Sequence, residues 1–207
     1  IKMMNFIKKT KLEEIIGFSF KRKNILITFH PETLKVGQNE NNFKQVLLAL
    51  KNLINTGLIF TSPNADTEGQ IIKKMIQKFV NQNKNNSILI NSMGAEVYLS
   101  TMKLVNCVLG NSSSGIIEAP SFKLPAVNIG ERQEGRIKSI NVLNVECKEK
   151  AIINAIKSVL KVNFKKKIKN LKNPYGNGKA AEKIFNNIKY FLLKKKKKLI
   201  FKKFNDL

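Results

Sequence analysis

The chain has 207 residues and a net charge of +24, from 38 lysines and arginines against 14 aspartates and glutamates. Such a length supports one core of roughly 150 residues with an appendage rather than two full domains. No apolar run reaches the ~18 to 20 residues of a membrane-spanning helix, and lysines and glutamates interrupt the opening IKMMNFIKKTKLEEIIGF before a signal-peptide core can form, so a soluble, cytoplasmic protein without membrane contact is expected.

Residues 1–23 read as a short helix and a linker. From 24 to 162, short β-type apolar runs alternate with amphipathic segments, the pattern of βαβ units that build a parallel sheet. The predicted strands are 24–29 (NILITF), 57–61 (GLIFT), 87–91 (SILIN), 107–110 (CVLG), 126–129 (AVNI) and 141–145 (NVLNV). They are nearly continuous in apolar residues, as strands covered by helices on both faces must be. The predicted helices are 42–54, 67–82, 95–103, 114–121 and 149–160. In the second of these, Ile71, Ile72, Met75, Ile76, Phe79 and Val80 form a 3.6-residue stripe directed at the sheet. The fold class expected is therefore α/β, a doubly wound parallel sheet, with loops after the strands gathered on the edge where such sheets bind ligands.

Residues 163–207 form a basic helical tail, divided by the turn-rich Asn173–Gly178 (NPYGNG) from an amphipathic helix at 179–193 and the lysine run 194–198. Sixteen of the lysines lie in residues 161–207, against only Glu182 and Asp206. A basic excess can mark a polyanion partner, but lysine, isoleucine and asparagine are abundant throughout. The excess therefore reads as compositional drift, and nucleic acid is not the expected partner. Cys107 and Cys147 lack a C-x-x-C spacing or a nearby histidine and read as buried or incidental thiols rather than a metal site.

The candidate site is the strand-to-helix turn in CVLGNSSSGIIE (107–118). Small residues let the backbone approach an oxyanion, the hydroxyls of Ser112, Ser113 and Ser114 add donors, Gly115 leaves room, and a helix beginning there favours negative charge. Glu118 lies one turn into that helix, on the face of Ser114, where a carboxylate can accept from ribose hydroxyls. A serine-rich N-cap with a packing glycine would leave the same pattern without a ligand. His30, the sole histidine, follows a strand directly in Thr28-Phe-His-Pro-Glu-Thr33, at the same edge. The loop after the fifth strand, Gly130–Arg136, holds Arg132 and Arg136, two of only three arginines, and guanidinium geometry suits phosphate.

HPET, the Pro63-Asn-Ala-Asp66 turn, GNSSSGIIEAPSF, PAVNIGERQEGR and NPYGNG, in this order and spacing, closely resemble the C-terminal half of the hydrolysing UDP-N-acetylglucosamine 2-epimerases, over about residues 10–190. The resemblance implies the C-terminal Rossmann-like domain of a GT-B arrangement, which binds UDP beside a cleft between two domains. It implies that Ser112 and Ser113 contact the diphosphate, Glu118 the ribose, and Arg132 the phosphates or the loop that orders them. His30 would lie near the diphosphate and sugar as the catalytic candidate, with Asn64 and Asp66 lining the cleft.

The implied ligand is a UDP-sugar, with no cofactor or metal, and the family commonly forms homo-oligomers. Its reaction is anti elimination of UDP to a glycal, then addition of water with inversion at C2. Two departures stand out. Val97 occupies the position of an expected arginine, and nothing matches the first domain, whose carboxylates act as acid and base; a complementary N-terminal domain chain is the partner this implies. Two alternatives stay open on sequence: a glycosyltransferase nucleotide domain of GT-B type, and a non-catalytic domain that binds a nucleotide or, through its tail, a polyanion.

Overall fold

The computed structural model describes residues 1, 4–33, 37–65 and 68–194. Asp66, Thr67 and the lysine run from 195 onward therefore lie outside the described residues. Six parallel strands form one sheet in the order β3-β2-β1-β4-β5-β6. They are β1 (Lys23–Thr28), β2 (Thr56–Thr61), β3 (Ser87–Ile90), β4 (Cys107–Gly110), β5 (Ala126–Ile129) and β6 (Val142–Val145). The order reverses direction between β1 and β4, whose pairing runs from Ile25 opposite Cys107 to Thr28 opposite Gly110.

Because side chains alternate along a strand, each central strand feeds two cores. Ile25 and Ile27 of β1, Leu58 and Phe60 of β2, and Leu109 of β4 face one layer made of α2 (Asn39–Lys51), α3 (Gly69–Gln82) and α6 (Glu149–Val159). Leu26, Ile59, Val108 and Ala126 face the other, where α1 (Lys9–Ile16) and α4 (Gly94–Leu104) pack through Leu12, Ile16 and Met102. The doubly wound α/β class is thus the observed one. The N-terminal helix is part of this core, since Leu12 is fully buried and its neighbour Phe18 lies against β2 beside Gly57.

Two local readings differ. The stripe of α3 buries Ile72, Ile76 and Phe79, while Ile71 stands 41% exposed, so the buried face is narrower than the apolar pattern. The helix expected over 114–121 is broken into α5 (Ser114–Ile117) and a 3-10 turn (Ala119–Phe122). Pro120 has no N–H to continue an α-helical ladder, and Lys123 closes the turn in the left-handed region at φ 50°.

By contacts the chain divides into Met3–Pro174 and a second unit, Tyr175–Leu207 with residues 1–2. In the first, α7 (Val162–Lys167) follows α6, and Ile168 behind it is buried. In the second, α8 (Ala180–Lys194) carries the large apolar side chains Ile184, Phe185, Ile188 and Leu192, all exposed. No helix among the described residues is long and apolar enough to cross a membrane.

Candidate functional site

At the carboxyl ends of β1 to β4, around the point where strand order reverses, lies a cavity of about 390 Å³. Open parallel sheets bind ligands at this position because the two adjoining connections leave toward opposite faces and part there. Its walls include Thr28 at the end of β1 and His30 beyond it, Thr61 at the end of β2 and Ser62 beyond it, Asn91, Ser92 and Met93 before α4, Gly94, Ala95 and Tyr98 of α4, and Ser112, Ser113, Ser114 and Glu118 after β4.

The close approach of β4 to β1 depends on Gly110. Its φ of 132° lies where side chains are rarely tolerated, and a Cβ there would fall 1.9 Å from the Thr28 carbonyl oxygen. The next residue, Asn111, is fully buried and turns its side chain back onto β1. From there the chain enters α5, whose first turn bonds Ile116 and Ile117 N–H to the Ser113 carbonyl. Gly115 does not line the cavity; it packs under the turn, with Ala126 of β5 3.5 Å from where a Cβ would sit.

A run of hydroxyls floors the cavity. Thr28 and Thr61 share a hydrogen bond of 2.7 Å, Tyr98 and Ser114 one of 2.6 Å, and the Ser114 hydroxyl donates to that of Ser112 at 3.2 Å. Burial pushes the Tyr98 phenol above its ordinary pKa, so it stays a neutral donor and acceptor. Such groups reorient their protons toward an anion without moving a heavy atom. Beside them stands Glu118, half-buried, with an oxygen, Oε2, that is removed from solvent and meets no hydrogen-bond partner. Burial raises the pKa of this carboxyl above the usual carboxylate range.

His30 is held from both ends. Its backbone pairs with Asn111, and its Nδ1 accepts the backbone N–H of Asn64 at 3.1 Å. Asn64 therefore serves this site through its main chain, and its side chain is not part of the cavity wall. Gly69 makes that loop possible, because a Cβ there would lie 2.0 Å from the Asn64 carbonyl. Arg132 also stands outside the wall: exposed, it donates from Nη1 to the Asn111 carbonyl at 3.2 Å, and Arg136 is exposed as well. Asn173 of the NPYGNG turn donates to the Ile117 carbonyl at 2.8 Å and to the Ser121 hydroxyl at 2.7 Å, fastening the segment behind Glu118.

The structure thus brings His30, Ser112, Ser113, Ser114 and Glu118 to one cavity. The turn read from the sequence contains Gly110 and Asn111, though not the close approach to β1 that the glycine permits or the pairing of Asn111 with His30, and sequence reasoning missed Tyr98 as part of the site.

The family model described as UDP-N-acetylglucosamine 2-epimerase matches residues 2–189. The chain belongs to the UDP-N-acetylglucosamine 2-epimerase family. It is 41% identical over 146 residues to the GDP/UDP-N,N'-diacetylbacillosamine 2-epimerase (hydrolyzing) of Campylobacter jejuni, covering 70% of this chain and 38% of that protein. It is 34% identical over 200 residues to the polysialic acid biosynthesis protein P7 of Escherichia coli, covering 96% of this chain and 50% of the relative. Among solved structures, the S. aureus MnaA–UDP complex superposes with a TM-score of 0.67 at 23% identity, over 97% of this chain and 52% of that one, a likeness of fold. The chain spans half or less of the length of these curated relatives.

Proposed function

We propose that the chain is the UDP-binding half of a hydrolysing epimerase acting on UDP-N-acetylglucosamine or a related UDP-2-acetamido sugar. The observation that carries this reading is Glu118 Oε2, a buried acceptor without a partner in the wall of a cavity otherwise lined by hydroxyls and His30. A buried carboxylate oxygen left unpaired is costly, and a ribose hydroxyl would supply the missing donor. Ser112 and Ser113 are assigned to the diphosphate, and Arg132, whose Nη1 donates to the Asn111 carbonyl, is assigned to add charge beside it. Asp66 belongs to the same proposal, as a cleft residue beside Asn64.

The names of the relatives and of the UDP complex above support the ligand class. In the reaction proposed, a base takes the C2 proton of the sugar, the C1–O bond breaks with its electrons leaving on UDP, and a C1–C2 double bond forms. Water then adds across it, with hydroxyl at C1 and a proton at C2 from the opposite face. Among the described residues, Glu118 is the only carboxylate lining the cavity, and its place beside the ribose keeps it from C2. The acid and base are therefore assigned to a second domain facing this one, with His30 assisting at the diphosphate and sugar. Assembly with that domain, oligomerisation and a cytoplasmic location belong to this reading.

Calorimetric titration of the chain with UDP tests it. Saturable binding that Glu118→Gln weakens is expected; binding of equal strength in native and variant chains would remove Glu118 from the site.

A further inference from the structure

Every polar atom of Asn111 is hydrogen-bonded at the point where β1 and β4 part. Its Oδ1 accepts the His30 backbone N–H at 2.7 Å, and its Nδ2 donates to the His30 carbonyl at 2.8 Å. The side-chain amide thereby pairs with β1 as a further residue of β4 would, beyond the last ladder pair of Thr28 and Gly110. Its own N–H donates to the Thr28 carbonyl at 3.2 Å. Its carbonyl accepts from Arg132 at 3.2 Å and from the buried Gln133 amide at 2.7 Å. Two groups suited to an anion are therefore tied to one buried residue, His30 through the Asn111 side chain and Arg132 through its carbonyl, with Ser112 next in the chain.

We propose that Asn111 is the positioning residue of the site, holding His30 through its side chain and Arg132 through its carbonyl to receive a diphosphate; this rests on the reading of the cavity as a UDP site. Asparagine alone suits the task. Aspartate would keep the acceptor for the His30 N–H but set a second oxygen against the His30 carbonyl, and alanine would leave both peptide groups unpaired. With the His30 backbone fixed, Asn64 N–H meets Nδ1, so the neutral ring carries its proton on Nε2.

The test uses the full chain, native and Asn111→Asp, titrated with UDP and with uridine. Because His30 is the sole histidine, imidazole ¹⁵N spectra of each chain are unambiguous. UDP affinity is expected to fall about tenfold while uridine affinity holds, as loss of a positioned, charge-assisted contact implies, and the Nδ1 and Nε2 signals should move from a single tautomer toward averaging. Equal losses for UDP and uridine, or an unchanged imidazole spectrum, would overturn the proposal. Should Asn111→Asp not fold, Gln133→Met removes one bond to the Asn111 carbonyl, and a loss confined to UDP is again expected, an equal loss for both ligands again contradicting. A native chain that binds no UDP defeats the functional reading alone, since the imidazole comparison still decides the role of Asn111.

Discussion

Replacing Glu118 by glutamine should move stability and affinity in opposite directions. The folded state raises the carboxyl pKa through burial. The folded chain therefore binds that proton more tightly than the unfolded chain, and stability falls as pH rises from the ordinary carboxylate pKa through the raised one. Once ionised, the partner-poor carboxylate is a burden on folding that a neutral amide of the same shape lacks. For a ligand the sign reverses. Oε2 is an acceptor already stripped of water, so a ribose hydroxyl meets it without a further desolvation cost. Hydrogen bonds to charged groups contribute about 1.5–3 kcal/mol, roughly a 10- to 150-fold loss of UDP affinity on substitution. Calorimetry and urea melts in one pH 7 buffer measure both quantities. A Kd within about twofold of native, or a variant less stable than native, would refute the reasoning.

Other substitutions separate framework from site. Gly110→Ala should cost at least about 3 kcal/mol in urea unfolding, from a disfavoured φ and a Cβ driven into β1; a loss under about 1 kcal/mol would mean that β1 and β4 can part without penalty. Tyr98→Phe strips one partner from Ser114 and should weaken UDP about fivefold, the equivalent of one neutral hydrogen bond of about 1 kcal/mol; unchanged affinity would show the hydroxyl run to be scaffolding only. Uridine affinity, free of phosphate titration, should decline as pH falls through the raised pKa of Glu118, with Glu118→Gln giving a flat profile. A decline that persists in the variant would assign the titration to another group.

The sheet was legible because β4 and β5 are short, nearly continuous apolar runs closed or followed by a glycine, and the structure places both at the residues the pattern indicates. Elsewhere the limits shifted by a residue or a few, as where α2 spans Asn39–Lys51 rather than 42–54. Pro120 was visible in the sequence, yet the periodicity of GIIEAPSF outweighed it in reading one helix. The serines, Glu118 and His30 were readable as a site because each lies in the connection that leaves the carboxyl end of a strand, and a parallel sheet must bring such positions to one edge. Asn111 and His30 pair across 81 residues, and the Tyr98 hydroxyl meets Ser114 from another helix. Contacts of that kind depend on register between elements, which local pattern does not encode. The same applies to Asn64, whose contribution is a main-chain N–H that no side-chain motif announces.

The central claim, that this cavity holds UDP, is tested most directly by calorimetric titration of the purified chain with UDP beside Ser113→Ala and Arg132→Ala. Saturable binding by the native chain, with a Kd on the order of micromolar to low millimolar, and its loss in both variants is the expected result. A folded native chain that takes up no UDP, or variants that bind as tightly as native, would contradict it.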